Sequence, residues 1–83
     1  MTYEIVLTIR AVKDLENLDK KTKKRIIDYL KENNINPLAH AIKLTNPKLG
    51  SYRFKIGDYR VVFDIDNKTL VILRIGHRKS IYR

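Results

Sequence analysis

The sequence predicts an α+β fold of order β-α-α-β-β-β, a helical hairpin packed on a small, mainly antiparallel sheet. Two observations predict it. Apolar residues alternate with polar ones at the start, then recur at helical spacing, then return to a strand pattern in the second half. Turn-forming dipeptides divide that second half into three runs rich in aromatic and β-branched residues. Helices before a run of hairpin-linked strands favour one sheet with the helices on one face. With 83 residues there is room for a single domain, 1–83.

The first strand is Tyr3-Glu4-Ile5-Val6-Leu7-Thr8-Ile9, with Tyr3, Ile5, Leu7 and Ile9 on one face. Ala11, Leu15 and Leu18 then recur at helical spacing. A second helix follows Asp19, a suitable N-cap, with Ile26, Ile27 and Leu30 as its apolar positions and Tyr29 beside them. Its polar side is Lys20, Lys21, Lys23, Lys24 and Lys31, and Asn33-Asn34 and Asn36-Pro37 end it. Residues 35–50 have no clear period and form a connection, with a short extended stretch around Ala41 to Leu44. Three strands follow: Ser51 to Ile56, Tyr59 to Ile65 and Thr69 to Gly76. Gly57-Asp58 makes a two-residue hairpin turn, Asp66-Asn67-Lys68 closes the second hairpin, and Gly76 lets the chain turn after the last strand.

The turn at Gly57-Asp58 dictates a register. Ile56 lies opposite Tyr59, Lys55 opposite Arg60, Phe54 opposite Val61 and Arg53 opposite Val62. Tyr52, Phe54, Ile56, Tyr59, Val61 and Phe63 then share an apolar face directed at the helices. The other face carries Arg53, Lys55 and Arg60, with Val62 between them. Like charges directly opposite in a sheet are unfavourable, so Lys55 beside Arg60 reads as a phosphate site or as a solvated face whose long side chains splay apart. Arg74, His77, Arg78, Lys79 and Arg83 cluster around Gly76 with Tyr82 close by. They extend the basic face or form a solvated tail, and Ile81 and Tyr82 give that tail something to pack with.

Charge follows the same division. The net charge is +9, with eight Lys/Arg against six Asp/Glu in residues 1–42 and ten against three in residues 43–83. A polyanion or an acidic protein is the expected partner, although Lys-rich surfaces also serve solubility and thermal stability. The absence of cysteine excludes disulfides and thiolate metal sites. No apolar run approaches a membrane span and no signal peptide is evident, so a cytoplasmic location with no membrane partner is expected.

On RNA, this residue set has a definite chemistry. An arginine stays protonated, so it holds phosphate and stabilises charge on a pentacoordinate phosphorus but is no base. Lys55, whose charged form is disfavoured by Arg60, is the better proton acceptor. Pairing His77 with His40 would require a residue from the irregular connection. Asp58, Asp64 and Asp66 are scattered among turns and bases, so no metal site and no cofactor is expected.

The segments Tyr52-Arg53-Phe54-Lys55-Ile56-Gly57-Asp58-Tyr59-Arg60-Val61-Val62-Phe63 and Ile75-Gly76-His77-Arg78-Lys79-Ser80-Ile81-Tyr82-Arg83 resemble the RelE toxins of the RelE/ParE toxin–antitoxin superfamily. The element order is similar too, so the resemblance covers essentially the whole chain. It implies a toxin that binds the ribosome and cuts mRNA at the A site. There the ribose 2′-hydroxyl attacks the adjacent phosphate, leaving a 2′,3′-cyclic end and a free 5′-hydroxyl. It also implies a cognate RelB-like antitoxin as partner. Carried onto this sequence, Lys55 is the candidate base and Arg60 stabilises the phosphorane. Arg78 assists the leaving group or holds the phosphate, and Tyr82 orients or stacks. Arg53 contacts the RNA backbone, with Arg74, His77 and Lys79 as further RNA-binding candidates. Some relatives have lysine where Arg53 stands; arginine keeps the charge without the capacity to act as base. ParE-type relatives share the fold but inhibit DNA gyrase by binding it, and an RNA-binding module without catalysis is a third reading.

Overall fold

Thr8 is where the first strand gives way to the first helix. Its backbone is extended (φ −66°, ψ 164°) and its hydroxyl accepts from the Ala11 amide, capping the helix. The same hydroxyl donates to the Leu73 carbonyl at 3.1 Å, tying the cap to the sheet. The first strand is therefore β1, Glu4–Leu7, and α1 runs over Ile9–Glu16. Ile9, expected on the core face of a longer strand, is instead the first helical residue and is 78% exposed. The alternation of apolar residues continued one step beyond the strand because a cap costs the chain only one residue.

The computed structural model describes residues 2–45 and 48–81. After α1 come α2 (Lys20–Glu32), a single 3-10 turn (Pro37–Ala39), β2 (Ile42–Lys43), β3 (Tyr52–Ile56), β4 (Tyr59–Asp66) and β5 (Thr69–His77). Asp19 caps α2 as expected, accepting from the Thr22 amide, and hydrogen bonding to the Thr22 side chain and then to that amide holds its carboxyl below the ordinary carboxylate value. The strands form one five-stranded sheet in the order β1-β5-β4-β3-β2. β1 runs parallel to β5 and every other pair is antiparallel. The extended stretch expected near Ala41 to Leu44 is the two-residue edge strand β2.

The register of the β3–β4 hairpin is the one its turn predicts, from Ile56 opposite Tyr59 to Arg53 opposite Val62. Gly57 adopts φ 60°, the positive value that a two-residue hairpin turn requires. The core lies on the predicted face. Phe54, Val61 and Phe63 are fully buried with Ala11, Ile26, Leu30, Leu70 and Ile72, and Tyr52 and Tyr59 pack at its margin. Phe54 stacks on Phe63 at 4.5 Å and meets Tyr29 of α2 edge-on at 5.3 Å, which fixes the helix against the hairpin.

Two features of β5 depart from the sequence reading. The strand continues through Gly76 to His77, so Gly76 does not turn the chain. It sits opposite Arg60, and a Cβ there would lie 3.5 Å from Ile81, which folds back on the sheet. The turn comes after the strand, where the Ser80 and Ile81 amides both donate to the His77 carbonyl. Second, Ile72 pairs with Phe63 but Arg74 pairs with Val62, leaving Leu73 as an extra residue in a β-bulge. The bulge lets Ile72 and Ile75, three apart, both enter the core.

Candidate active site

The hairpin turn gathers the cations. Arg53 and Lys55 alternate with core residues along β3 and so lie outside the core, and Arg60 on β4 stands opposite Lys55. Arg60 is the buried charged residue of the molecule's core, 7% exposed. Its Nη1 donates to the carbonyls of Gly57 and Tyr59, both at 2.9 Å, so the guanidinium curls under the turn that precedes it. Among the described residues it forms no ion pair. A cation taken out of water without a counter-charge is costly, and an anion brought to it recovers that cost. At an effective dielectric near 20, a phosphate oxygen about 4 Å away is attracted by roughly 4 kcal/mol.

Arg78 is brought to the same end of the sheet by pairing with the turn. Its amide donates to the Asp58 carbonyl at 2.8 Å, and its Nε lies 3.6 Å from Asp58 Oδ1. Both side chains are more than half exposed, so the carboxylate steadies Arg78 without withholding it from a ligand. Lys55 is exposed beside them and makes no ion pair among the described residues. Lys79 lies exposed in the turn that follows β5. Tyr82, expected to orient or stack, falls outside the described residues.

Two residues expected near this cluster stand elsewhere. Arg74 turns toward α1, where its Nε donates to Asp14 Oδ2 at 2.8 Å. The same oxygen accepts from the Ile75 amide at 3.0 Å, so Asp14 satisfies the backbone beside the bulge and neutralises the arginine together. His77 lies opposite Tyr59, on the helix side of the sheet, with the two rings edge-on at 5.5 Å. Its Nδ1 accepts from the Lys79 amide. The structure thus brings together Arg53, Lys55, Arg60 and Arg78 and sets Arg74 and His77 apart from them.

Sequence reasoning passed over three contributors. Asp14 and the Leu73 bulge were not foreseen, although the uneven spacing from Ile72 to Ile75 is a visible break in alternation. Arg25 of α2 was the third. Its guanidinium lies against the turn, where a Cβ on Gly57 would come within 2.9 Å of Nη1.

The geometry has counterparts in known proteins. The family model for the ParE toxin of the type II toxin–antitoxin system parDE matches residues 5–82. The chain belongs to the RelE/ParE superfamily of toxins. Among superfamily members it is 35% identical over 75 residues to toxin RelE3 of Methanocaldococcus jannaschii, covering 86% of this chain and 85% of that one. It is 30% identical over 86 residues to toxin RelG of Mycobacterium tuberculosis, covering 100% and 99%. Its fold is similar to a chain of the RelBE2 toxin–antitoxin complex from Mycobacterium tuberculosis, with a TM-score of 0.85, 27% identity and coverage of 94% and 100%. The α+β architecture, two helices on a five-stranded mixed sheet, is that of these RelE structures. The match takes in every described residue of the basic cluster, from Arg53 to Arg78.

Proposed function

We propose that this toxin is a ribosome-dependent endoribonuclease that cuts mRNA at the A-site codon without a metal. The observation that carries the reading is Arg60, a nearly buried guanidinium with no carboxylate partner among the described residues, with Lys55 opposite it in the sheet and Arg78 bonded to the same hairpin turn. A surface built only to bind a protein or to stay soluble has no use for a desolvated, uncompensated cation; a developing phosphorane does.

In this reading Lys55 removes the proton from the ribose 2′-hydroxyl. The 2′-oxygen bonds to the adjacent phosphorus, and Arg60 stabilises the charge on the equatorial oxygens of the pentacoordinate state. The bond to the 5′-oxygen breaks, and that oxygen takes a proton as it leaves, giving a 2′,3′-cyclic phosphate and a free 5′-hydroxyl. Arg78, steadied by Asp58, holds the phosphate or assists the leaving group. Arg53 contacts the backbone further along β3, and Tyr82 is assigned the orienting or stacking role. The partner that silences the toxin is a RelB-like antitoxin, a reading supported by the RelBE2 complex of the relative. The pair acts in the cytoplasm, where ribosomes are.

The test is primer extension on ribosomes programmed with a defined mRNA, with Arg78→Ala and free mRNA alongside. New 5′ ends at the A-site codon, present only on ribosomes and reduced at least about 100-fold by Arg78→Ala, are the expected result. One observation favours a second reading: the matching family model bears the ParE name. A ParE-like toxin would leave the mRNA intact and block supercoiling by DNA gyrase, and uncut mRNA with folded wild-type protein would move the assignment there.

A further inference from the structure

On the helix side of the same hairpin, α2 and the β3–β4 turn enclose an open cleft of about 580 Å³. Lys21, Lys24, Arg25, Lys55 and Gly57 line it, together with the carboxylates of Asp28 and Glu32. Lys21, Lys24 and Arg25 follow the i, i+3, i+4 spacing, so they share one face of α2. Lys24 pairs with Asp28 at 2.8 Å, an exposed contact that water and salt weaken. Among the described residues Lys21, Arg25 and Lys55 have no ion pair at all. Four cations against the two acids Asp28 and Glu32 leave the cleft with an excess of positive charge.

Gly57 is the hinge of the arrangement. The Arg25 guanidinium lies on one side of it, where a Cβ on Gly57 would come within 2.9 Å of Nη1. Arg60 donates to its carbonyl from below. Lys55, two residues earlier, belongs both to the basic cluster and to the wall of the cleft. Lys55 thus links the two sets: it stands opposite Arg60 in the hairpin and lines the cleft with Arg25, Lys21 and Lys24.

We propose that this cleft holds the sugar–phosphate backbone of the RNA strand next to the cleaved phosphate. The identity of the polyanion rests on the RNA-cutting reading, and continuity through Lys55 is what selects RNA over an acidic protein. A strand leaving Arg60 meets Lys55 first and the α2 cations next. Contacts of this kind position the strand without reading its sequence.

The test uses the full chain and a fluorescein-labelled single-stranded RNA whose riboses are 2′-O-methylated, so that it cannot be cut. Anisotropy is followed across a salt series for wild type and for Lys21→Ala/Arg25→Ala, both exposed positions, with thermal melting to verify folding. The double variant should bind more weakly, and its slope of log affinity against log salt should be shallower by about 1.4, or 0.7 for each cation removed from a single strand. Equal affinity and slope for the two proteins, or no binding by wild type at low salt, overturns the proposal. So does a variant that binds the RNA normally but loses affinity for a poly-glutamate peptide, which assigns the cleft to an acidic protein. The cutting reading is scored separately on ribosomes. Cutting with an indifferent double variant refutes the cleft alone; a weakened double variant without cutting leaves the cleft standing as an RNA-binding surface.

Discussion

Arg60 illustrates a conflict between stability and use at a single residue. Its guanidinium is 7% exposed and satisfied only by two carbonyls of its own turn. Replacing a buried charge by an apolar side chain of similar length is often neutral or stabilising, whereas a transition state that relied on the charge loses it entirely. Arg60→Met is therefore expected to melt at the same temperature as wild type or higher, while ribosomal mRNA cleavage falls by at least about 100-fold. Calorimetry and primer extension on the same preparation check both halves. A drop of several degrees in Tm with cleavage intact would make Arg60 a structural residue. Lys55 differs because it is exposed on the neighbouring strand, and the register that places it opposite Arg60 follows from the Gly57-Asp58 turn alone. Both residues were legible in the sequence for that reason. Arg74 and His77 were not, since their surroundings depend on β5 and α1, remote in the chain.

At the scale of the elements, the C-terminal half of β5 depends on α1. β1 pairs with β5 only as far as Leu7 opposite Ile72, and beyond it Thr8 and Asp14 take over the exposed edge. Asp14 accepts from both the Ile75 amide and Arg74, in a partly buried setting. Removing a shared acceptor leaves a backbone donor and a cation without partners, at a cost of about 1–3 kcal/mol. Asp14→Ala should lower stability by that amount in urea unfolding with an unchanged m-value. It should also reduce cleavage, because Arg78 follows directly on the strand that Asp14 steadies. Asp14→Asn, which keeps an acceptor oxygen, should recover part of the loss. An Asp14→Ala protein as stable as wild type would mean that water replaces the carboxylate at the bulge.

The whole molecule divides its net charge unevenly between its two halves. The helices and their apolar partners fill one side of the sheet, and most of the +9 net charge belongs to residues 43–83. A field of this size steers an acidic partner before contact and is screened as the Debye length shrinks. Association with an acidic antitoxin should accordingly slow at least about tenfold between 50 mM and 500 mM salt, with a smaller change in the dissociation rate. Stopped-flow mixing measures both rates. An association rate insensitive to salt would show that the complex forms through apolar contacts, leaving the basic surface to RNA.

The sequence by itself determined the parts that short-range rules govern. Alternation around a two-residue turn divided β3 and β4 into an apolar face and a basic one, and Asp19 marked the start of α2. Each of these depends on residues a few positions apart, where covalent geometry leaves few options. Only the tertiary structure decided what the remaining cations do. Asp14 lies 60 residues from Arg74, and Arg25 is far along the chain from Gly57, yet each pair is in contact. The extra residue at Leu73 shifts the register of everything after it, so Gly76 meets Arg60 and His77 meets Tyr59. A bulge exchanges which side chains face the core, and its position is settled by packing between strands and helices, which no local pattern encodes.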